Sequence, residues 1–197
     1  MTIYLVLAII IAILSQIFPI YLLLQNSRLR KKLKYVDEAN MWHRLAITDD
    51  LTGLYNRNAY NNKIIKMNED STKKSYGIIL FDVDNFKTIN DTKGHLIGDK
   101  VLQNIAKTLR EVFNSSEFEI FRIGGDEFSV ITENILETEI IKKLLLLKKY
   151  IEKQEIGLSK GYSLVESDVY EAFKYADDML YSDKLAKNAR ENINSDM

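Results

Sequence analysis

Two short stretches of the sequence carry acidic residues that could act together. The stretch FDVDNFK has Asp82 and Asp84 at the end of an apolar run, and FRIGGDEFSV has Asp126 and Glu127 after two adjacent glycines. Carboxylates that meet on neighbouring strands repel one another unless cations neutralise them, and hard oxygen ligands favour Mg²⁺ or Mn²⁺. Lys87 follows the first pair and could meet a phosphate as a point charge. The pattern therefore predicts a divalent metal site beside a phosphate contact.

Both stretches also have a purely structural interpretation. Asp82 and Asp84 could form a polar exit from a strand, and Gly124 and Gly125, which adopt positive φ at low cost, could form a tight hairpin turn. Several common motifs are excluded by spacing. An EF-hand counted from Asp82 would need Gly and Glu at its sixth and twelfth positions, where lysines stand, and no P-loop, dinucleotide or HExxH motif occurs.

A third polar group lies in NDTKGHLIGD, where Asn90 and Asp99 flank a glycine-punctuated segment. A carboxylate can accept hydrogen bonds from guanine while an amide donates and accepts beside it, so the pair is chemically suited to guanine. Asn and Asp also cap turns and helix starts, which is their commoner role. Spacing alone leaves both interpretations open.

The elements that must position these groups alternate along the chain. The apolar periodicities predict strands and helices, with the double glycine of FRIGGDEFSV inside a hairpin. This order favours an α+β domain in which one sheet is covered by helices on one face. The predicted elements are a strand over 77–83, a helix over 101–113, strands on each side of 124–125, a helix over 137–152, a strand over 156–164 and a helix over 168–186.

The N-terminal segment Ile3–Leu24 has 22 residues and no charge, a length that matches a hydrocarbon core of about 30 Å. It predicts one transmembrane helix, favoured over a cleaved signal peptide because no basic n-region or cleavage site is present. The basic residues that follow, between Arg28 and Lys34, place the C-terminal side in the cytoplasm. We therefore predict a single-pass protein of the cell membrane, open to a membrane partner that supplies a signal.

Residues 28–47 carry apolar positions at helical spacing and predict a juxtamembrane stalk, either solvated or paired as a coiled coil. Residues 35–197 carry a net charge of −6, because the five basic residues of 28–34 stand against −1 for the whole chain. An acidic domain argues against nucleic acid as the main partner. The sequence has no cysteine, which excludes disulfides and thiolate sites.

Three separated motifs resemble the GGDEF family of diguanylate cyclases. They are DDLTGLYNR at 49–57, FDVDNFKTINDTKGHLIGDKVL at 81–102 and RIGGDEF at 122–128, and together the likeness extends over about residues 49–187. The resemblance implies a ferredoxin-like, palm or nucleotidyl cyclase-like fold, with an antiparallel-centred sheet and flanking helices. It also implies the condensation of two GTP molecules to cyclic di-GMP in a head-to-head homodimer.

The resemblance further implies roles for individual residues. Two Mg²⁺ (or Mn²⁺) ions would be held by Asp82, the Val83 carbonyl and Asp126, with Asp126 also the base for the 3′-hydroxyl. The remaining residues carry catalytic charge (Glu127, Lys87), bind the substrate (Asn90, His95, Asp99, Lys184) or leave room for it (Gly124, Gly125). Such a set agrees with phosphoryl transfer, which depends on positioning and charge neutralisation.

Two departures from the family pattern bear on function. The family's product-inhibition motif RxxD would fall on Ser115–Phe118, which reads SSEF, so we expect no feedback at that site. After Lys184 a Gly-Arg-Asn stretch is usual, and here Lys187 or Arg190 would have to replace its arginine. The alternative function is a catalytically weak or inactive GTP-binding signalling module. The predicted organisation is an anchor over 1–27, a stalk over 28–47, the catalytic domain over 48–190 and a disordered tail over 191–197.

Overall fold

The structure, a computed structural model, describes residues 2–70, 75–165 and 168–195. Six helices and four strands alternate within these ranges. In chain order they are α1 (Thr2–Ile47), α2 (Arg57–Glu69), β1 (Tyr76–Val83), α3 (Phe86–Lys93), α4 (His95–Val112), β2 (Phe118–Arg122), β3 (Glu127–Glu133), α5 (Glu137–Glu152), β4 (Leu158–Val165) and α6 (Val169–Ser195).

The four strands form one antiparallel sheet in the order β2-β3-β1-β4. β1 lies inside the sheet and is buried along its whole length, as its almost fully apolar sequence predicts. The predicted α+β fold with an antiparallel sheet and flanking helices is confirmed. The predicted hairpin is confirmed too, since β2 and β3 pair across the double glycine.

The expectation that helices cover only one face of the sheet is wrong. Ile79 and Phe81 of β1 pack into a core with side chains of α4 and α5, whereas Ile78 and Leu80 pack into a second core with side chains of α2 and α6. Successive side chains of a strand point to opposite faces, so a continuous apolar strand is buried on both. The periodicity of such a strand cannot indicate a single covered face.

Two helices, α2 and α3, were not predicted. The side chain of Asn56 caps α2 by accepting a hydrogen bond from the Ala59 N–H at 3.1 Å. α3 follows directly on Asn85, whose φ of 55° is left-handed and turns the chain sharply out of β1. Lys87 therefore lies in the first turn of a helix.

The chain divides into two compact units, Met1–Leu45 and Ala46–Met197. The first consists of α1 up to residue 45. The second holds the sheet and the remaining helices, and its last helix extends through Ser195, into the segment 191–197 that we predict as a tail; residues 196–197 lie outside the described residues.

The prediction of a single-pass protein in the cell membrane is wrong. Within residues 2–70, 75–165 and 168–195, no helix combines the length and the apolar character that a membrane crossing requires. The prediction rested on the absence of charge over Ile3–Leu24.

Candidate active site

The sheet register brings the two acidic stretches together. Asp82, near the end of β1, lies directly opposite Glu127 at the start of β3. One residue further on, the Val83 N–H donates to the carbonyl of Asp126 at 3.2 Å. Residues 43 and 45 positions apart in sequence thus meet at one end of the central strand pair, as the sequence predicts from their places at strand ends.

Asp82 is the most buried acid of this group, with 9% of its surface exposed. Burial raises its pKa above the ordinary range, and the nearby carboxylates of Asp126 and Asp84 raise it further, while Lys184 lowers it. The Nζ of Lys184 lies 2.7 Å from Asp82 Oδ2. The structure therefore places Lys184, predicted as a phosphate contact, directly on a predicted metal ligand.

Asp84 belongs to a neighbouring cluster centred on Lys187. The Lys187 ammonium donates to Asp84 Oδ2 at 2.9 Å and to the Leu158 carbonyl at 2.7 Å, and it lies 3.4 Å from Asp183. Ser159 donates to the other Asp84 oxygen and lies 3.2 Å from Lys187. We call this group of residues (Asp84, Leu158, Ser159, Asp183, Lys187) the exit clamp, because it holds the chain where it leaves β1.

A close backbone approach completes the exit clamp. The Asp84 N–H donates to the Gly157 carbonyl at 3.0 Å, and a Cβ at Gly157 would lie 2.6 Å from the Asp84 Cβ. Only glycine fits this contact without moving Asp84. Lys187, weighed from sequence as a replacement phosphate contact, is instead engaged by protein oxygens.

The hairpin tip between β2 and β3 is held by Arg122. Its guanidinium donates to both carboxylate oxygens of Asp49, at 3.0 and 3.1 Å, and to the Gly125 carbonyl at 2.7 Å. We call these three residues the hairpin clamp. The pKa of Asp49 is lowered, because hydrogen bonds from Thr52 and Arg122 outweigh the opposing effect of burial.

The two glycines of the tip have different surroundings. Neither lies in the left-handed φ region, so the expected use of positive φ is wrong. A Cβ on Gly124 would lie 2.2 Å from Glu127 Oε2, whereas a Cβ on Gly125 would meet nothing within 4 Å. Gly124 leaves room for the Glu127 side chain, and Gly125 leaves open space at the surface.

The predicted base-binding residues lie on α3 and α4. A Cβ on Gly98 would lie 2.0 Å from Asn90 Oδ1, so the Asn90 side chain packs against the turn of α4 that carries Asp99. Asp99 is partly buried, and His95 and Lys87 are exposed. The structure brings Asn90 and Asp99 onto facing helices and leaves His95 and Lys87 open to solvent.

The donor set at the end of β1 suits a divalent cation. Asp82 and Asp126 supply hard oxygen atoms, and burial together with the neighbouring carboxylates raises the Asp82 pKa, a cost that a cation would relieve. Within the described ranges, however, no group of three or more His, Asp or Glu side chains is already arranged to hold a metal ion. Lys184 and Lys187 are the cations that the carboxylates contact in this structure.

The clamps were not predicted as functional parts. In the sequence, Asp49 and Arg122 stand out only as members of DDLTGLYNR and RIGGDEF, and Gly157 and Ser159 belong to none of the three motifs. The spacing of Lys184 and Lys187, three residues apart and so on one side of a helix, could have indicated two cations facing the two acids of FDVDNFK.

Residues 46–190 match the family described as "Diguanylate cyclase, GGDEF domain". The chain is 40% identical over 120 residues to Diguanylate cyclase DgcN of Escherichia coli, covering 60% of this chain and 29% of that protein. It is 38% identical over 155 residues to Probable diguanylate cyclase DgcI of the same organism, covering 75% and 33%. The chain thus spans about a third of the length of these relatives.

The fold also matches solved structures. The crystal structure of the GGDEF domain of DgcB from Caulobacter crescentus in complex with c-di-GMP superposes with a TM-score of 0.64 at 25% identity. The match covers 72% of this chain and 91% of that one.

Proposed function

The chain belongs to the GGDEF-domain family of diguanylate cyclases, and we propose that it condenses two GTP molecules to cyclic di-GMP with release of pyrophosphate. The observation that carries the proposal is the meeting of Asp82 with Asp126 and Glu127 at the end of the β1–β3 pair. This arrangement concentrates negative charge at one strand end, where a phosphoryl-transfer enzyme needs bound cations.

The metal-binding residues in this proposal are Asp82, the Val83 carbonyl and Asp126. Bound Mg²⁺ would neutralise phosphate charge and activate the attacking hydroxyl. Asp126 accepts the proton of the 3′-hydroxyl, and Glu127 adds to the negative charge that attracts the cations. Lys87 and Lys184 balance charge on the phosphates.

The remaining roles concern substrate recognition. Asn90 and Asp99, on the facing helices α3 and α4, supply an amide and a carboxylate to guanine, and His95 lies exposed at the start of α4. The open space beside Gly125 leaves the hairpin tip free to approach a nucleotide. Each domain holds one GTP, so two chains must face each other as a homodimer. With SSEF at 115–118, product inhibition through an RxxD site is absent.

The test uses the full chain at high protein concentration with GTP and Mg²⁺, and nucleotide chromatography as the readout. We expect cyclic di-GMP to form, and Asp126→Ala to reduce the rate by about a thousandfold or more, because it removes a base and a metal ligand together. Glu152→Ala is the matched control, since Glu152 is exposed on α5, where it pairs with Lys148. Unchanged GTP in the wild-type reaction would rule out the cyclase function, and GTP binding without turnover would favour the signalling module.

A further inference from the structure

Two lysines of α6 each contact one carboxylate of FDVDNFK. Lys184 lies 2.7 Å from Asp82 and Lys187 lies 2.9 Å from Asp84. A spacing of three residues puts both ammonium groups on the same side of the helix. The last helix thus supplies a positive charge to each acid at the end of β1.

The two lysines are held very differently. Lys187 is surrounded by the oxygens of the exit clamp, including the Leu158 carbonyl and the Ser159 hydroxyl, which no cation exchange would remove. Lys184 contacts Asp82 alone among the ion pairs of the described residues, and its side chain is 37% exposed. The first lysine is fixed by several partners, while the second can swing into solvent at the cost of one contact.

Asp82 cannot keep Lys184 and accept a divalent cation at the same oxygen. An ammonium group and a divalent ion on one carboxylate oxygen would repel strongly in a site that is 9% exposed. Without either cation, Asp82 would stand as a buried charge beside Asp126 and Asp84, which is costly. At Oδ2, the oxygen that Lys184 contacts, one cation therefore replaces the other.

We propose that Lys184 is an exchangeable internal counter-cation of Asp82, which a divalent metal ion displaces and which then becomes free to meet the substrate's phosphates. The inference rests on the proposed function in that it takes Asp82 as a metal ligand. Metal binding and phosphate binding are thereby linked through one side chain. Lys187 stays in the exit clamp throughout.

The experiment measures Mn²⁺ binding to the full chain without nucleotide, by the loss of the free-ion signal in electron paramagnetic resonance. Lys184→Met should bind Mn²⁺ about tenfold more tightly than the wild type, because the ion no longer competes with the ammonium group. Lys187→Met, which removes an equal charge from the same helix, should change the Mn²⁺ affinity by less than about threefold. Lys184→Met with an affinity equal to or weaker than that of the wild type would overturn the proposal.

A second measurement covers the loss of stability that Lys184→Met itself could cause. Thermal unfolding with and without Mn²⁺ should show a larger metal-induced rise in Tm for Lys184→Met than for the wild type, because the ion then satisfies an unpaired Asp82. Asp82→Asn in the Lys184→Met background should abolish that rise. A rise that survives Asp82→Asn would place the ion elsewhere and overturn the proposal.

Failure of this inference and failure of the proposed function give different results. A chain that makes cyclic di-GMP while Lys184→Met leaves Mn²⁺ affinity unchanged would be a cyclase without the exchange. A chain that makes no cyclic di-GMP, yet binds Mn²⁺ more tightly after Lys184→Met, would have the exchange without the cyclase function.

Discussion

The acids at the end of the β1–β3 pair come from two segments, the end of β1 and the β2–β3 hairpin, and a different clamp positions each segment. On the hairpin side, the Arg122 guanidinium spans the Asp49 carboxylate and the Gly125 carbonyl. On the β1 side, the Lys187 ammonium sits among the oxygens of the exit clamp. A planar fork suits a carboxylate and a carbonyl in fixed directions, whereas a compact ammonium suits oxygens that converge from several elements.

The position of the acids depends on the residues of the two clamps as well as on the strands that carry them. The hairpin clamp ties the tip to the start of the second unit, and the exit clamp joins β1, β4 and α6. Each clamp should therefore be removable with effects on its own side. Asp84 of the exit clamp is more buried than Asp49 of the hairpin clamp: the Asp84 side chain is 13% exposed, and that of Asp49 is 23% exposed.

The largest effect on stability is expected from Lys187→Met, which leaves Asp84 charged and without its ammonium partner. We expect a loss of about 2–3 kcal/mol in the free energy of unfolding by urea, since breaking a buried pair exposes the desolvation cost of the remaining charge. Lys148→Met is the control, because its pair with Glu152 is exposed and worth less than about 0.5 kcal/mol. Equal losses in the two variants would show that the exit clamp contributes no more than a surface pair.

Arg122→Met should have the next largest effect, about 1–2 kcal/mol, because several charge-assisted hydrogen bonds are lost from a partly buried group. Hydrogen exchange should speed up over residues 121–128 and stay unchanged over 81–87, with the reverse pattern in Lys187→Met. Arg122→Lys keeps the charge and loses the fork, so it should restore less than half of the loss. If either variant speeds up hydrogen exchange over both 121–128 and 81–87, the two clamps do not act independently.

The sequence predicts the strands that carry the acids better than it predicts α2 and the two clamps. The buried strand β1 follows from its apolar run and the hairpin from its double glycine, and α5 begins and ends at the predicted residues. α2 was missed because its polar, asparagine-containing sequence RNAYNNKIIKMNE lacks a clear apolar stripe. The clamps were missed because their partners are 73 and 103 residues apart, and no local pattern records such pairs.

The hairpin clamp should also show in the pH dependence of stability. The pKa of Asp49 is lowered in the folded chain, so its stabilising effect is fully present above the ordinary range of an aspartate and is lost as the pH falls through the lowered value. Asp49→Asn should therefore reduce the free energy of unfolding by about 0.5 kcal/mol near neutral pH, a small value because the group is partly screened by solvent. The difference from the wild type should shrink in acid, while Asp50→Asn, at an exposed position, should show no such trend. A gap that widens in acid would contradict the lowered pKa.

The smallest effects on stability are expected at the two glycines, and these separate folding from function at the hairpin tip. Neither glycine has a left-handed φ, so Gly124→Ala and Gly125→Ala should each cost less than about 0.5 kcal/mol. Gly124→Ala must push aside the Glu127 carboxylate, whereas Gly125→Ala projects a methyl group into open space.

If that space admits a nucleotide, Gly125→Ala should slow cyclic di-GMP formation although unfolding by urea is unchanged. The Gly125 carbonyl would still accept from Arg122, so the hairpin clamp itself remains. If Gly125→Ala instead lost as much stability as Arg122→Met, the glycine would be needed for the structure of the hairpin clamp. Full activity with full stability would mean that the open space has no part in the reaction, and the double glycine would then matter only through Gly124 and the room that it leaves for Glu127.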